Sequence, residues 1–223
     1  SLCLSEIMTI VVMFQSSGYR YFKHFYLKYV HRHYRIYFPD LVSYNRFIEL
    51  MPRTLLALCA FLKSRFGKAT GISYIDSTGL CVCKNTRAKR HRVFRGKAGW
   101  GKSSTGWFFG FKLHLIINDR GELLNVKCTS GNTDDRAVLD EMCGILFGKL
   151  FGDRGYISEE KRALLLDKYG IELITTERKN MKPKLMNMLD KCLLRGRSLI
   201  ETVNDQLKNI CQIEHSRHRS TSN

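Results

Sequence analysis

Three acidic residues make the best case for chemistry: Asp76, Asp153 and Glu201. Asp76 closes the β-type run "GISYIDST". Asp153 follows the short apolar run "KLFG" and stands between Gly152 and Gly155. Glu201 lies in the first turn of a helix beginning near Ser198. If the two runs are neighbouring parallel strands, both aspartates leave the sheet at one edge. Three carboxylates gathered there could hold two hard divalent cations, since Mg2+ (or Mn2+ in its place) prefers oxygen ligands. Two such ions can activate a water and stabilise the leaving oxygen in phosphodiester cleavage. Without metal the three charges would repel one another. Each acid also has a plainer explanation. Asp76-Ser77-Thr78 could be a turn, Asp153 a turn acid before glycine, and Glu201 the acid of a capping box with Ser198.

The elements that must position these groups can be read from the pattern. Residues 1–68 read as a small all-α region. Ser5 and Ser43 are expected N-caps, Gly18 and Pro52 interruptions, and Gly67 a stop. Its aromatics recur at helical spacing, which suits a core, and its interleaved Lys and Arg leave a DNA-binding role open. Residues 69–223 read as α/β. In "GWFFGFKLHLIIN", Phe109, Phe111, Leu113, Leu115 and Ile117 share one face, with Lys112 and His114 opposite. The turn at Asp119-Arg120-Gly121 returns the chain as "ELLNVKCTS". An amphipathic helix follows, with Val138, Leu139, Met142, Ile145 and Leu146 inward. Then come the "KLFGD" strand, a helix capped by Ser158 and closed by Gly170, the "IELIT" strand, a basic stretch, and a helix from about Ser198 to Gln212. Antiparallel strands feeding β-α-β crossovers predict a mixed sheet flanked by helices.

The 37 Lys and Arg exceed the 20 Asp and Glu, giving a formal charge of +17. That excess favours a polyanionic partner, nucleic acid before an anionic membrane surface. No apolar stretch approaches the roughly 18–20 residues of a membrane span. The eight cysteines include no C-x-x-C pair and read as reduced, mostly buried thiols, with a zinc site at Cys81, Cys83 and His91 disfavoured by spacing. Between Ser77 and Asn118 there is no acid and there are nine Lys or Arg. This insert, 84–105, reads either as a solvated loop or as a loop closing on DNA phosphates through Lys89, Arg90, Arg92 and Arg95, joined by Lys112. "GKSST" lacks the upstream glycine of a phosphate-binding loop.

Taken together, "DST" at Asp76, "GWFFGFKLHLIIN", "GNTDD" at 131–135, "LFGDRGYIS" and "RSLIETVNDQLKNI" resemble bacterial insertion-sequence transposases of the DDE class, nearest the insertion-sequence 982 family. Arg197, Glu201 and Lys208 fit that class's signature Tyr-x2-Arg-x3-Glu-x6-Lys, with Leu194 in place of Tyr. The resemblance implies a ribonuclease-H-like fold in which Asp76, Asp153 and Glu201 are the catalytic, metal-binding triad. It implies cut-and-join chemistry on terminal inverted repeats and target DNA, as a homo-oligomer on double-stranded DNA at the bacterial nucleoid. Gly152 and Gly155 would then leave room around Asp153 for metal and phosphate. Seven helical residues would place Lys208 on Glu201's face to meet a phosphate, with Arg197 nearby on the backbone. Gly79 stands where the family has Pro and would loosen the turn after "DST". Both ends read as cut, and two rival readings stand beside this one: a DNA-binding remnant without activity, and another ribonuclease-H-like nuclease such as a resolvase.

Overall fold

The computed structural model describes residues 2–103, 106–176 and 186–214. The described chain forms two compact units, one built of residues up to 65 with 92–95 and those from 205 onward, the other of 66–91 and 96–204. No helix among the described residues is long and apolar enough to cross a membrane.

The first unit is helical: α1 (Leu4–Ser16), α2 (Phe22–His24), a π segment (Phe25–Val30), α3 (His31–His33), α4 (Tyr44–Leu50) and α5 (Leu55–Ser64). The N-cap of α1 is Cys3, not Ser5; the Glu6 carboxylate reaches back to the Cys3 amide at 2.7 Å. Ser43 caps α4 by accepting from the Arg46 amide. Pro52 sits in a 3-10 turn (Met51–Thr54), where its missing N–H costs nothing. Ile7, Ile10, Phe25, Tyr26, Val30 and Phe47 form the core.

The second unit is the mixed sheet. Its strands are β1 (Ile72–Cys83), β2 (Gly99–Ser103), β3 (Gly106–Asn118), β4 (Leu123–Ser130), β5 (Gly148–Gly152) and β6 (Ile171–Thr175). The sheet runs β4–β3–β1–β5–β6, with β2 beside the first half of β3. β3 is antiparallel to β1, while β5 is parallel to β1 and β6 parallel to β5. This order, with antiparallel strands feeding parallel crossovers, is ribonuclease-H-like.

Alternation along the strands assigns the two faces. Ile75, Ile116 and Leu150 meet the core under α6 (Leu139–Cys143) and α7 (Glu159–Tyr169). Tyr74 and Phe151 point the other way, their rings 5.7 Å apart. On that side lie α8 (Met188–Arg195), whose Asp190 pairs with Lys149 at 2.5 Å, and α9 (Ser198–Asp205). Because both faces are covered, His114 to Asn118 are all buried, and the two-sided polarity expected of β3 is lost there. α7 ends as its sequence dictates, with Ser158 accepting from Lys161 N and Gly170 at φ +65°.

Several expectations need correction. β1 does not stop at Asp76 but continues to Cys83 alongside β3. Gly79 is therefore no loose turn: a Cβ there would meet the Phe108 ring at 2.8 Å, so it is a packing glycine. The basic insert is partly regular, with a 3-10 stretch (Asn85–Arg90) and β2. The glycines of β2 leave it without a periodic signal. A Cβ on Gly101 would strike the Gly131 carbonyl and Phe108, each at 2.5 Å, so bare backbone is what fits. Ile145 is exposed rather than inward. The cysteines lie mostly at the surface; Cys143 is buried, where desolvation pushes its thiol up to about 12. The short helix α8 has no counterpart among the expected elements.

Candidate functional site

Parallel pairing between β1 and β5 joins Ile72 to Lys149, Ser73 to Leu150 and Tyr74 to Phe151. Asp76 and Asp153 each stand two residues beyond the last pair, on the Tyr74–Phe151 face by alternation. The Asp153 charge is felt at Asp76. Burial, with that repulsion added, raises the Asp76 carboxyl to about 6, against the opposing pull of Arg197 and of the Ser77 amide and Asn204 side chain that bond it. Asn204 Nδ2 donates to Asp76 Oδ2 at 2.9 Å.

Asp153 is also a turn residue. Its Oδ1 accepts from the Gly155 amide at 2.8 Å and caps the 3-10 turn Arg154–Tyr156. The two glycines have separate jobs. A Cβ on Gly152 would lie 3.1 Å from the Tyr156 ring and 3.2 Å from Ile75, so this glycine admits an aromatic ring, not metal or phosphate. A Cβ on Gly155 would lie 2.9 Å from Asp153 Oδ1 and 3.3 Å from Asp135 Oδ2, so its bareness makes room for two carboxylates.

Glu201 is not gathered with the aspartates. Its side chain is 60% exposed and accepts from Arg197 Nη2 at 3.0 Å. The face of α9 turned inward carries Ile200 and Asn204, four residues apart. Ser198 is the first residue of that helix rather than its cap, so the capping-box expectation is not met. Among the described residues no three His, Cys, Asp or Glu side chains are placed to share a metal ion.

The basic residues divide. Lys89, Arg90, Arg92 and Arg95 are exposed. Lys112 is turned inward: its Nζ donates to the Thr133 carbonyl at 2.8 Å and to Asp135 Oδ1 at 3.1 Å, and its side chain is 15% exposed. Arg197 is nearly buried, held between Glu201 and the field of Asp76, with its Nε lacking a hydrogen-bond partner. Gly196, just before it, is where a Cβ would meet Tyr74 Oη at 2.5 Å, which fixes the approach of the α8–α9 link to β1. Lys208 lies in a π segment (Gln206–Ile210) and pairs with Glu214 at 3.6 Å; the α-helical phase behind its expected position is not continued there.

Three residues of the site are not singled out by sequence reasoning: Asp135, His114 and Asn204. Asp135 Oδ1 accepts from Ser77 Oγ at 3.0 Å as well as from Lys112. His114 Nδ1 is 3.9 Å from the same oxygen, but burial lowers the imidazole's basicity, so this is a contact of a neutral ring whose Nε2 meets Thr129 Oγ1 at 2.8 Å. The buried Tyr156 phenol is held well above its ordinary pKa by burial, then by the charges of Asp135, Asp76 and Asp153. The "GNTDD" segment is a signal for Asp135, but spacing alone does not tell which of its two acids turns inward.

A divalent cation fits this edge in part. The donors are carboxylate oxygens, Asp76 is desolvated beside a second negative charge, and the buried Asn204 Oδ1 has no hydrogen-bond partner. A cation would relieve all three conditions. The third carboxylate of a triad does not stand with them.

The chain matches the transposase DDE domain family over residues 66–221 and belongs to it. No curated protein matches it. Among solved structures it is similar to a piggyBac transposase in a synaptic complex with hairpin DNA. The TM-score is 0.57 and the identity 10%, over 95% of this chain and 64% of that one. The chain thus spans under two thirds of the solved transposase, and at that identity the likeness speaks for the fold.

Proposed function

We propose that this chain is an insertion-sequence transposase of the DDE class, bacterial and of the insertion-sequence 982 type, that cuts and joins double-stranded DNA. The register equivalence of Asp76 and Asp153 on neighbouring parallel strands carries this reading. In it, Asp76 and Asp153 hold the divalent cation, Mg2+, with Mn2+ able to replace it. Glu201 joins them when DNA is bound, by leaving Arg197, which then faces the DNA backbone. A bound cation supplies Lewis-acid activation of water and stabilisation of the leaving oxygen. Lys89, Arg90, Arg92 and Arg95 contact phosphates, and the helical region assists binding. Lys112 is withdrawn from that set because its ammonium is already engaged inside the fold. The substrate is the element's terminal repeats and target DNA, met as a homo-oligomer at the nucleoid.

One observation favours a second reading. Glu201 turned to solvent and paired with Arg197 suits a DNA-binding remnant whose third ligand is out of use. Nicking of a terminal-repeat duplex in Mg2+ tests both. We expect the chain to nick and Asp153→Asn to lose on the order of 10³-fold or more, the scale of removing a charge-stabilising group from an active site. Asp134→Asn should stay near the parent rate, since the Asp134 carboxylate is engaged by Arg136. Binding without any nicking would select the remnant.

A further inference from the structure

The cluster of Ser77, Lys112, His114 and Asp135 lies behind the sheet edge. Antiparallel pairing sets Ser77 opposite His114 and Gly79 opposite Lys112, all on the Ile75 face and so turned away from Asp76. Asp135 reaches this face from the 3-10 turn that follows β4 (Asp135–Val138). One of its oxygens takes Ser77, the neighbour of Asp76, and Lys112; the other packs at the Gly155 position, two residues from Asp153. A single carboxylate thereby bonds the continuation of β1 and packs against the turn after β5. The strands' own pairing does not reach that far, since the β1–β5 ladder ends at Tyr74 and Phe151.

We propose that Asp135, locked by Lys112, is a positioning residue that sets the spacing of Asp76 and Asp153 and so their grip on a divalent cation. This rests on the reading of those aspartates as the cation's ligands. Asp135 Oδ1 is held on the rear face by Ser77 and Lys112, and Asp135 is therefore assigned to positioning rather than to the cation. The pairing with Lys112 matters as much as the contacts. An unpartnered ammonium left behind the two aspartates would compete with the cation for their charge.

The test uses the whole chain and Mn2+ alone, titrated by the electron paramagnetic resonance of the free ion. Asp135→Asn should weaken Mn2+ binding about 10–100-fold, the usual cost of losing an outer-shell partner. The double variant Asp135→Asn with Lys112→Met, which removes both charges, should recover a large part of that loss. Asp134→Asn should bind as the parent does. A second measurement, amide hydrogen exchange without metal, should show faster exchange at Ser77 and Gly155 in Asp135→Asn, with Leu173 on β6 unchanged. Parent-like exchange at Ser77 and Gly155 would overturn the clasp. So would acceleration that includes Leu173, which would mean general loosening. Parent-like Mn2+ affinity in Asp135→Asn would overturn its hold on the cation. If the parent and Asp153→Asn bind Mn2+ equally poorly, the ligand assignment fails instead, and the exchange comparison alone decides the clasp.

Discussion

The end of the β1–β5 pair brings two acids to one place, while the helix α9 carries a third that is not gathered with them. On the strands, position follows from hydrogen bonds. Once Tyr74 pairs with Phe151, the period of two puts Asp76 and Asp153 on one face at one level. On α9, the face that packs is chosen by rotation about the helix axis, and the apolar Ile200 and compact Asn204 take the inner side while Glu201 stays with Arg197. A desolvated third carboxylate beside Asp76, already raised to about 6, would be costly without a cation. Asp76 is held by the β1–β3 ladder and Asp153 by its place just past β5, whatever their charge state. The helix acid is held by whatever balances charge at the moment.

The largest expected effect separates those two modes. Glu201→Gln should reduce nicking by roughly 10²–10³-fold if the glutamate is recruited when DNA and cation are present, while leaving Mn2+ binding to the free chain close to the parent's. Asn204→Ala should do the reverse in the free chain, because it removes the hydrogen bond that orients Asp76 and leaves that carboxyl's partner missing. Parallel metal titration and nicking of both variants would check this. Equal losses of metal binding in the two would show that Glu201 is already a ligand at rest.

How legible this was follows the same division. The β3–β4 hairpin, α7 with its Ser158 cap and Gly170 stop, and the mixed character of the sheet could be read from alternation, turn residues and capping. The length of β1 could not, because "DSTG" looks like a turn and its strand continuation depends on β3 lying alongside. β2 could not, because its glycines are dictated by neighbours distant in sequence. Lys112 reads as a free cation because sequence does not show that Asp135, in the turn after β4, will meet it. The inward turn of Asn204 rather than Glu201 is a packing outcome that an i, i+4 pattern with one Ile leaves open.

A smaller effect is expected at the basic insert, where the exposed side chains contrast with the internal Lys112. Replacing Lys89, Arg90 and Arg92 by Ala should weaken duplex binding and flatten its salt dependence, by about 0.9 in log–log slope for each phosphate that is no longer neutralised. Lys112→Met should leave the slope unchanged, since its ammonium is held by Asp135 and the Thr133 carbonyl. Fluorescence titrations at several salt concentrations would decide it. A slope change with Lys112→Met alone would put that lysine back on the DNA.

The smallest effect concerns Asp76 in the free chain, and its sign is the informative part. Burial and the Asp153 charge raise this carboxyl from its ordinary 3.8 to about 6, with Arg197 pulling the other way. The folded chain therefore holds the proton more tightly than the unfolded one. Ionisation begins in the unfolded chain first, so folding stability falls as pH rises from about 4 to about 6 and stays lowered above that. Asp76→Asn, which cannot ionise and can still meet Asn204, should match the parent near pH 4. It should be more stable by roughly 3 kcal/mol at pH 8, measured by urea unfolding at both values. Divalent cation should reverse the order at pH 8, because it stabilises only the chain that keeps the charge. If Asp76→Asn is less stable than the parent at pH 8 without metal, then Arg197 outweighs burial, and the edge is a settled ion pair rather than a site poised for a cation.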